Sequence, residues 1–297
     1  MQTFQYAFAD VNGIRMHYVR AGSGKLILFV HGFPEFWYQW RHQLAEFGRD
    51  FLAVAPDLRG YNLSSKPRDV EQYRMPHLVE DLRQLARHLV PNLRDEQFYL
   101  VGHDWGGVVA WAYPMLHPGD VEKLIIINSP HPGVFERELR ENPAQRRASG
   151  YMKLFCSRWA EPLLSAFGHR YLVRAVLKQG LEQGYLTAED KAAYLQAWSQ
   201  PGALTGGLNY YRASRLAALV RGRGDAGDLP AQLGALTVNV PTLVIWGERD
   251  RFLLPGNLDG LEQYVPRLTI HRVPDASHWI VQEKPELVNR YIREFIL

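Results

Sequence analysis

Four short runs of uninterrupted apolar residues punctuate the first half of the chain: Leu26–Val30 (LILFV), Phe51–Ala55 (FLAVA), Phe98–Val101 (FYLV) and Leu124–Ile127 (LIII). A strand with one wet face alternates apolar and polar residues, so runs without alternation belong to strands covered on both faces. Helical patterns lie between them, clearest over 77–90 (HLVEDLRQLARHLV), where Leu78, Leu82, Leu85 and Leu89 recur at the helical period. Strands alternating with helices predict an α/β fold with a mostly parallel central sheet flanked by helices. Ile14–Val19, ahead of the Ala-Gly-Ser-Gly turn at 21–24, reads as one member of an antiparallel hairpin at the sheet edge.

The alternation stops near residue 131, where Pro130, Pro132 and Gly133 end it, and strand runs resume only at Thr242–Trp246 (TLVIW) and Leu268–Val273. The interval reads as helical. Arg158–Lys178 and Thr187–Trp198 have amphipathic spacing, and Thr187-Ala-Glu-Asp190 resembles a capping box. Arg221–Asp228 (RGRGDAGD) has the composition of a linker. A closing helix, Lys284–Ile296, carries Leu287, Tyr291, Ile292 and Phe295 on one face. The expected organisation is a core in two parts, residues 1–130 and 236–297, interrupted by a helical insertion over 131–235. There is no internal repeat and no low-complexity segment.

With 297 residues, 46% of them hydrophobic, the chain has ordinary globular composition. Its formal net charge is only +3, with basic and acidic residues interleaved, which argues against a nucleic-acid partner. The one dense basic run, Arg137–Arg147, carries two glutamates and reads as the solvated face of a helix. Cys156 is the only cysteine, so an internal disulfide and a Cys-based metal cluster are both excluded. No secretory pattern opens the chain, and no apolar stretch approaches about 18 residues. These features predict a cytoplasmic chain without a membrane partner. A homodimer is compatible with the sequence.

Residues 100–111 (LVGHDWGGVVAW) read as a strand passing through a tight glycine-rich turn into a helix, with Asp104 at its apex. In Gly-x-Ser-x-Gly the same turn holds a serine nucleophile above the end of a strand. An acidic helix cap is the ordinary use of such an aspartate, but a cap does not require small residues on both sides, and here glycines stand at 102, 106 and 107. A carboxylate needs no base to ionise it and can attack a saturated carbon bearing a leaving group, giving an alkyl ester. Cleaving that ester requires a base for water, a group to orient the base, and donors for the developing oxyanion. His278, in Pro-Asp-Ala-Ser-His-Trp at 274–279, is the candidate base, because triads on such turns run nucleophile, acid, histidine along the chain. Asp250 and Glu248, both after the TLVIW run, compete as its orienter, and Asp275 reads as a turn former. The backbone N–H groups of Phe33, in His-Gly-Phe-Pro at 31–34, and of Trp105 are the candidate oxyanion donors.

His-Gly-Phe-Pro at 31–34, Asp-Leu-Arg-Gly-Tyr at 57–61, Gly-His-Asp-Trp-Gly-Gly at 102–107, Asn-Ser-Pro-His-Pro at 128–132, Trp-Gly-Glu-Arg-Asp at 246–250 and Ser-His-Trp at 277–279 together resemble the α/β-hydrolase epoxide hydrolases, close relatives of the haloalkane dehalogenases. The resemblance spans essentially the whole chain. It implies an α/β-hydrolase fold with an inserted helical cap, Asp104 as nucleophile, Asp250 rather than Glu248 as partner of His278, and no metal or organic cofactor.

An epoxide and a halide place different demands on the site. Opening an epoxide creates a basic alkoxide, so proton donors belong opposite the nucleophile, and tyrosine is protonated at neutral pH. Asn209-Tyr-Tyr-Arg212 resembles the Asn-x-Tyr-Arg signature of epoxide hydrolase caps, which implies Tyr211 as donor, with Tyr151 its partner by resemblance of position. Trp105 is common to both families. Phe33 stands where many dehalogenases carry a polar residue, and the arginines that follow the nucleophile in fluoroacetate dehalogenases are absent. The resulting expectation is an epoxide hydrolase making a vicinal diol from a small hydrophobic epoxide and water. A haloalkane or haloacid dehalogenase is the alternative, and a non-catalytic binding module built on the fold the reading from another class. Phe36, Trp37, Phe155, Trp159 and Trp198 are candidate walls of an apolar pocket.

Overall fold

The computed structural model describes residues 3–92, 96–214 and 236–297. The chain opens with an antiparallel hairpin, β1 (Gln5–Val11) and β2 (Ile14–Ala21). Asn12 and Gly13 between them both have positive φ, 45° and 75°, the backbone that a two-residue hairpin turn needs. The apolar runs become β3 (Leu26–Val30), β4 (Leu52–Pro56), β5 (Phe98–His103), β6 (Val121–Ile127) and β7 (Thr242–Gly247), followed by β8 (Leu268–Val273). All eight join one sheet in the order β1-β2-β4-β3-β5-β6-β7-β8. β2 runs antiparallel to β1 and β4, and every pairing from β4 to β8 is parallel. Continuous apolarity has the predicted consequence, since β3, β5 and β7 are buried along their whole length.

Helices cover both faces. The 77–90 pattern is helix α2 (Met75–Leu89), which buries Leu78, Leu82 and Leu85, while α1 (Arg41–Phe47) lies between β3 and β4. α3 (Trp105–Leu116) follows β5 directly and is buried along most of its length, as the centre of a large α/β core requires. Between β6 and β7 the described chain is helical: α4 (Pro132–Glu141), α5 (Pro143–Ala148), α6 (Tyr151–Phe155), α7 (Ala160–Leu172), α8 (Lys178–Gln183), α9 (Ala188–Trp198) and α10 (Ala203–Ala213). The linker read over Arg221–Asp228 lies outside the described residues. α11 (Ile280–Glu283) and α12 (Pro285–Ile296) close the chain.

Two helical readings change in detail. The basic run 137–147 is not one solvated face but two helices broken at Asn142-Pro143. Asn142 Oδ1 accepts from the N–H groups of Ala144 (2.9 Å) and Gln145 (3.3 Å), and Arg137 donates to the backbone oxygen of Asp259 (2.7 Å). The amphipathic stretch 158–178 is interrupted where Phe167, Gly168 and His169 take left-handed φ values of 51°, 65° and 60°. By contrast, the capping box forms as read. Asp190 N–H donates to Thr187 Oγ1 (3.2 Å), and Thr187 N–H to Asp190 Oδ2 (2.7 Å).

α10 docks on the loop after β4. A Cβ on Gly206 would stand 2.3 Å from the backbone oxygen of Gly60, so only glycine allows this approach. The Tyr210 hydroxyl donates to the backbone oxygen of Arg59 (3.0 Å), and the Arg59 side chain is held by a buried, two-pronged pair with Asp81 (2.6 and 2.7 Å). These contacts set the height of α10 above the C-terminal ends of the strands.

Candidate active site

Asp104 sits at the junction of β5 and α3 with φ 50° and ψ −124°, a conformation unusual for any residue with a Cβ. Its side chain makes no bond to the helix it precedes, so the plain-cap reading is not what the structure holds. Oδ1 instead accepts from the Phe33 backbone N–H (2.7 Å). That approach needs glycine at position 32, where a Cβ would lie 2.3 Å from Oδ1. Ser129 Oγ donates to the Asp104 backbone oxygen (2.7 Å) and fixes the turn from the β6 side. Trp105 is the first residue of α3, where a backbone N–H has no partner within the helix.

His278 joins two carboxylates. Its Nδ1 lies 2.6 Å from Asp250 Oδ2, and its Nε2 3.6 Å from Asp104 Oδ2. Asp250 is held in turn by the N–H groups of Phe252 (2.8 Å) and Leu253 (3.0 Å) and by Asn128 Nδ2 (2.8 Å). The rival Glu248 instead bonds the exposed Arg272 (2.6 Å), and Asp275 pairs with Lys284 (2.8 Å) at the surface. Burial alone would depress the basicity of His278, but the charge of Asp250 and the bonds to Asp104 and Asp250 outweigh it and raise its pKa to about 10. Burial pushes Asp104 upward, yet the bond and charge of His278, with His103 and the Phe33 N–H, leave it below the usual carboxylate value. This placement between Asp104 and Asp250 favours the protonated form of His278.

Tyr151 and Tyr211 face this assembly from α6 and α10, their rings 6.2 Å apart. The Tyr211 ring meets Trp105 edge-on at 5.1 Å and Phe33 at 5.4 Å. Burial, reinforced by nearby negative charge, raises both hydroxyls above the ordinary tyrosine value, so both remain protonated. Tyr210 is accounted for by its bond to Arg59, which leaves Tyr211 as the tyrosine of Asn-Tyr-Tyr-Arg that reaches the site. A cavity partly open to solvent is lined by Asp104 and His278 together with Tyr151 and Tyr211. Its remaining wall is apolar and includes Phe155, Phe252 and Trp279.

Of the aromatic residues read as pocket walls, Phe155 lines this cavity and the other four do not. Phe36 stacks on Tyr38 (5.7 Å) and meets Tyr194 edge-on (5.3 Å), facing a separate small cavity behind Pro34 that Trp198 also borders. Trp37 is drawn away by its N–H bond to Asp57 (3.0 Å) and packs beneath the first strand against Tyr6 (5.5 Å). Trp159 points outward, 58% exposed, with the Arg158 guanidinium 5.0 Å from its ring. Among the described residues no group of three or more His, Cys, Asp or Glu is placed to hold a metal ion.

A family profile described as alpha/beta hydrolase fold matches residues 25–285. The chain belongs to that family. Epoxide hydrolase 4 of Mus musculus is 39% identical to this α/β hydrolase over 304 residues, covering 99% of this chain and 79% of its own. The crystal structure of a Bacillus megaterium epoxide hydrolase in complex with an inhibitor superposes with a TM-score of 0.89 at 40% identity, covering 98% of this chain and 99% of that one. A variant of an epoxide hydrolase from Bacillus megaterium, complexed with its product (R)-3-[1]naphthyloxy-propane-1,2-diol, superposes with a TM-score of 0.90 at 39% identity and the same coverage. The α/β hydrolase thus stands among the epoxide hydrolases of its fold.

Three groups in the α/β hydrolase's site carry no role in the sequence reading. Asn128, at positive φ, bridges strands by accepting from Gly247 N–H (2.8 Å) while donating to Asp250. Gln39 Nε2 donates to His103 Nδ1 (2.7 Å), so His103 Nε2 donates to the His278 backbone oxygen (2.9 Å). Glu35 is buried between the Tyr194 hydroxyl and Gln282 Nε2 (3.0 Å). Asn128 and His103 belong to motifs quoted for the resemblance, but their use depends on contacts more than 100 residues away in sequence.

Proposed function

We propose that this α/β hydrolase converts epoxides to vicinal diols through a covalent ester on Asp104, with the helical segment between β6 and β7 acting as a cap that supplies the proton donors. One observation carries the reading: a shielded carboxylate faces two protonated tyrosines across an apolar cavity and has a His–Asp pair behind it. The diol complex of the bacterial relative supports an apolar aryl-substituted epoxide as the substrate class.

Asp104 attacks an epoxide carbon, the carbon–oxygen bond breaks, and Tyr211 or Tyr151 protonates the departing oxygen. Alkylation removes the charge that helped hold the proton on His278. The imidazolium then reprotonates the tyrosinate and becomes a neutral base. It takes a proton from water as the hydroxide attacks Cγ of the ester, and the Phe33 and Trp105 N–H groups stabilise the oxyanion. Collapse releases the diol, with Asp104 again a carboxylate and His278 again protonated.

Incubation with an aryl glycidyl ether tests the reading. Wild-type protein is expected to release the diol and Asp104→Asn to release none; diol formation at equal rates by both would overturn it.

A further inference from the structure

The segment carrying the cavity's outer lip has a second face. Ala160, Leu164 and Leu172 of α7 are buried inward, and Tyr171, Leu172, Ala175 and Val176 line the cavity over Asp104. On the outside, large apolar side chains at every fourth position are exposed: Trp159 58%, Leu163 51%, Phe167 89% and Tyr171 48%. Phe167, within the left-handed turn at 167–169, is the most exposed of the four. Single exposed apolar residues are commonplace, but four within thirteen residues of one segment are a local concentration of apolar surface that calls for a partner.

The charges around the patch identify that partner. Lys153, Arg158, Arg170, Arg174 and Lys178 are all exposed. From 153 to 178 the only acid is Glu161, and it is held by Arg212 at 2.8 and 2.9 Å. Lys178 shares Glu182 (3.1 Å), and Lys153, Arg158, Arg170 and Arg174 have no acidic partner among the described residues. Tryptophan, phenylalanine and leucine flanked by lysine and arginine match the interfacial layer of a bilayer bearing anionic headgroups.

We propose that this outer face docks on an anionic lipid surface, laying Trp159, Leu163 and Phe167 among the headgroups and bringing the cavity mouth at Tyr171 beside the acyl phase. Among the described residues no helix is long and apolar enough to cross a membrane; the docking proposed is of a surface, and it departs from the expectation of a chain without a membrane partner. Docking follows from the surface alone. Its use in delivering an apolar epoxide from lipid rests on the reading of the site given above.

Flotation of the full chain with vesicles, without epoxide, tests docking. Vesicles of phosphatidylcholine with about 30% phosphatidylglycerol are expected to carry the protein, pure phosphatidylcholine much less, and about 0.5 M NaCl is expected to release it. Leu163→Ser with Phe167→Ser is expected to lower partitioning about tenfold or more, while diol formation from a water-soluble epoxide is unchanged, which shows the variant is folded. Failure to float with anionic vesicles, or flotation indifferent to the double substitution, overturns the proposal. So does a dimer in size exclusion that the double substitution splits, because the patch would then belong to a second copy. A chain that floats but forms no diol retains the docking and removes the epoxide reading instead.

Discussion

His278 Nε2 stands 3.6 Å from Asp104 Oδ2 while its other nitrogen is 2.6 Å from Asp250. One ring therefore senses the charge of the nucleophile directly. Its pKa is raised to about 10 by these neighbours, so in the proposed cycle esterification of Asp104 would remove part of that hold.

Replacing this ring is expected to separate the two halves of the proposed cycle. His278→Gln is expected to keep alkylation and lose ester hydrolysis, lowering turnover by about 10²–10⁴-fold. Mass spectrometry of the variant after incubation with epoxide should show the adduct on the peptide containing Asp104. An unmodified peptide from a protein that still binds substrate would argue against the two-step cycle.

In the proposed cycle the tyrosines act earlier. Tyr151→Phe and Tyr211→Phe each leave one donor, whereas the double variant leaves none and is expected to slow the alkylation phase by about 10²-fold or more. Pre-steady-state alkylation rates measure this directly. If the double variant alkylates as fast as wild type, the leaving oxygen is protonated from elsewhere.

Asn128 is a positioning residue whose loss should be felt in both stability and rate. Asn128→Ala leaves the Gly247 N–H unpaired in a buried site and removes one donor from Asp250. Stability is expected to fall by about 1–3 kcal/mol, with kcat reduced and KM little changed. Denaturant titration and steady-state kinetics check the two parts separately.

Glu35 gives a pH signature. Burial raises its carboxyl to about 7 against the opposing Tyr194 bond and the Arg41 charge, from an ordinary value of 4.5. Between those values the folded chain holds more proton than the unfolded chain, so this group's stabilising contribution is complete at acid pH and is lost as pH rises toward 7. Glu35→Gln should flatten that part of the Tm–pH curve. An unchanged curve would show that Glu35 ionises normally.

The core was legible because its signals are local. An apolar run such as LILFV can be buried only when it is covered on both faces, and β3 lies at Leu26–Val30 as read. The Gly-His-Asp-Trp-Gly-Gly turn likewise announces its own backbone. Aromatic direction was less legible. Phe36, Trp37 and Trp159 have the composition of a pocket wall, yet one backbone bond to Asp57 and the outward face of a helical segment decide where two of them point. The break at Phe167–His169 was unreadable for a similar reason, since the amphipathic spacing continues through it while the backbone does not.

The covalent ester on Asp104 is the centre of the account, and a single turnover in H₂¹⁸O with enzyme in excess over an aryl epoxide tests it most directly. Hydrolysis at Cγ transfers an unlabelled Asp104 oxygen to the diol and leaves the label in the peptide containing Asp104. Diol labelled in that first turnover, with an unlabelled peptide, would mean that water attacks the epoxide directly and would contradict the account.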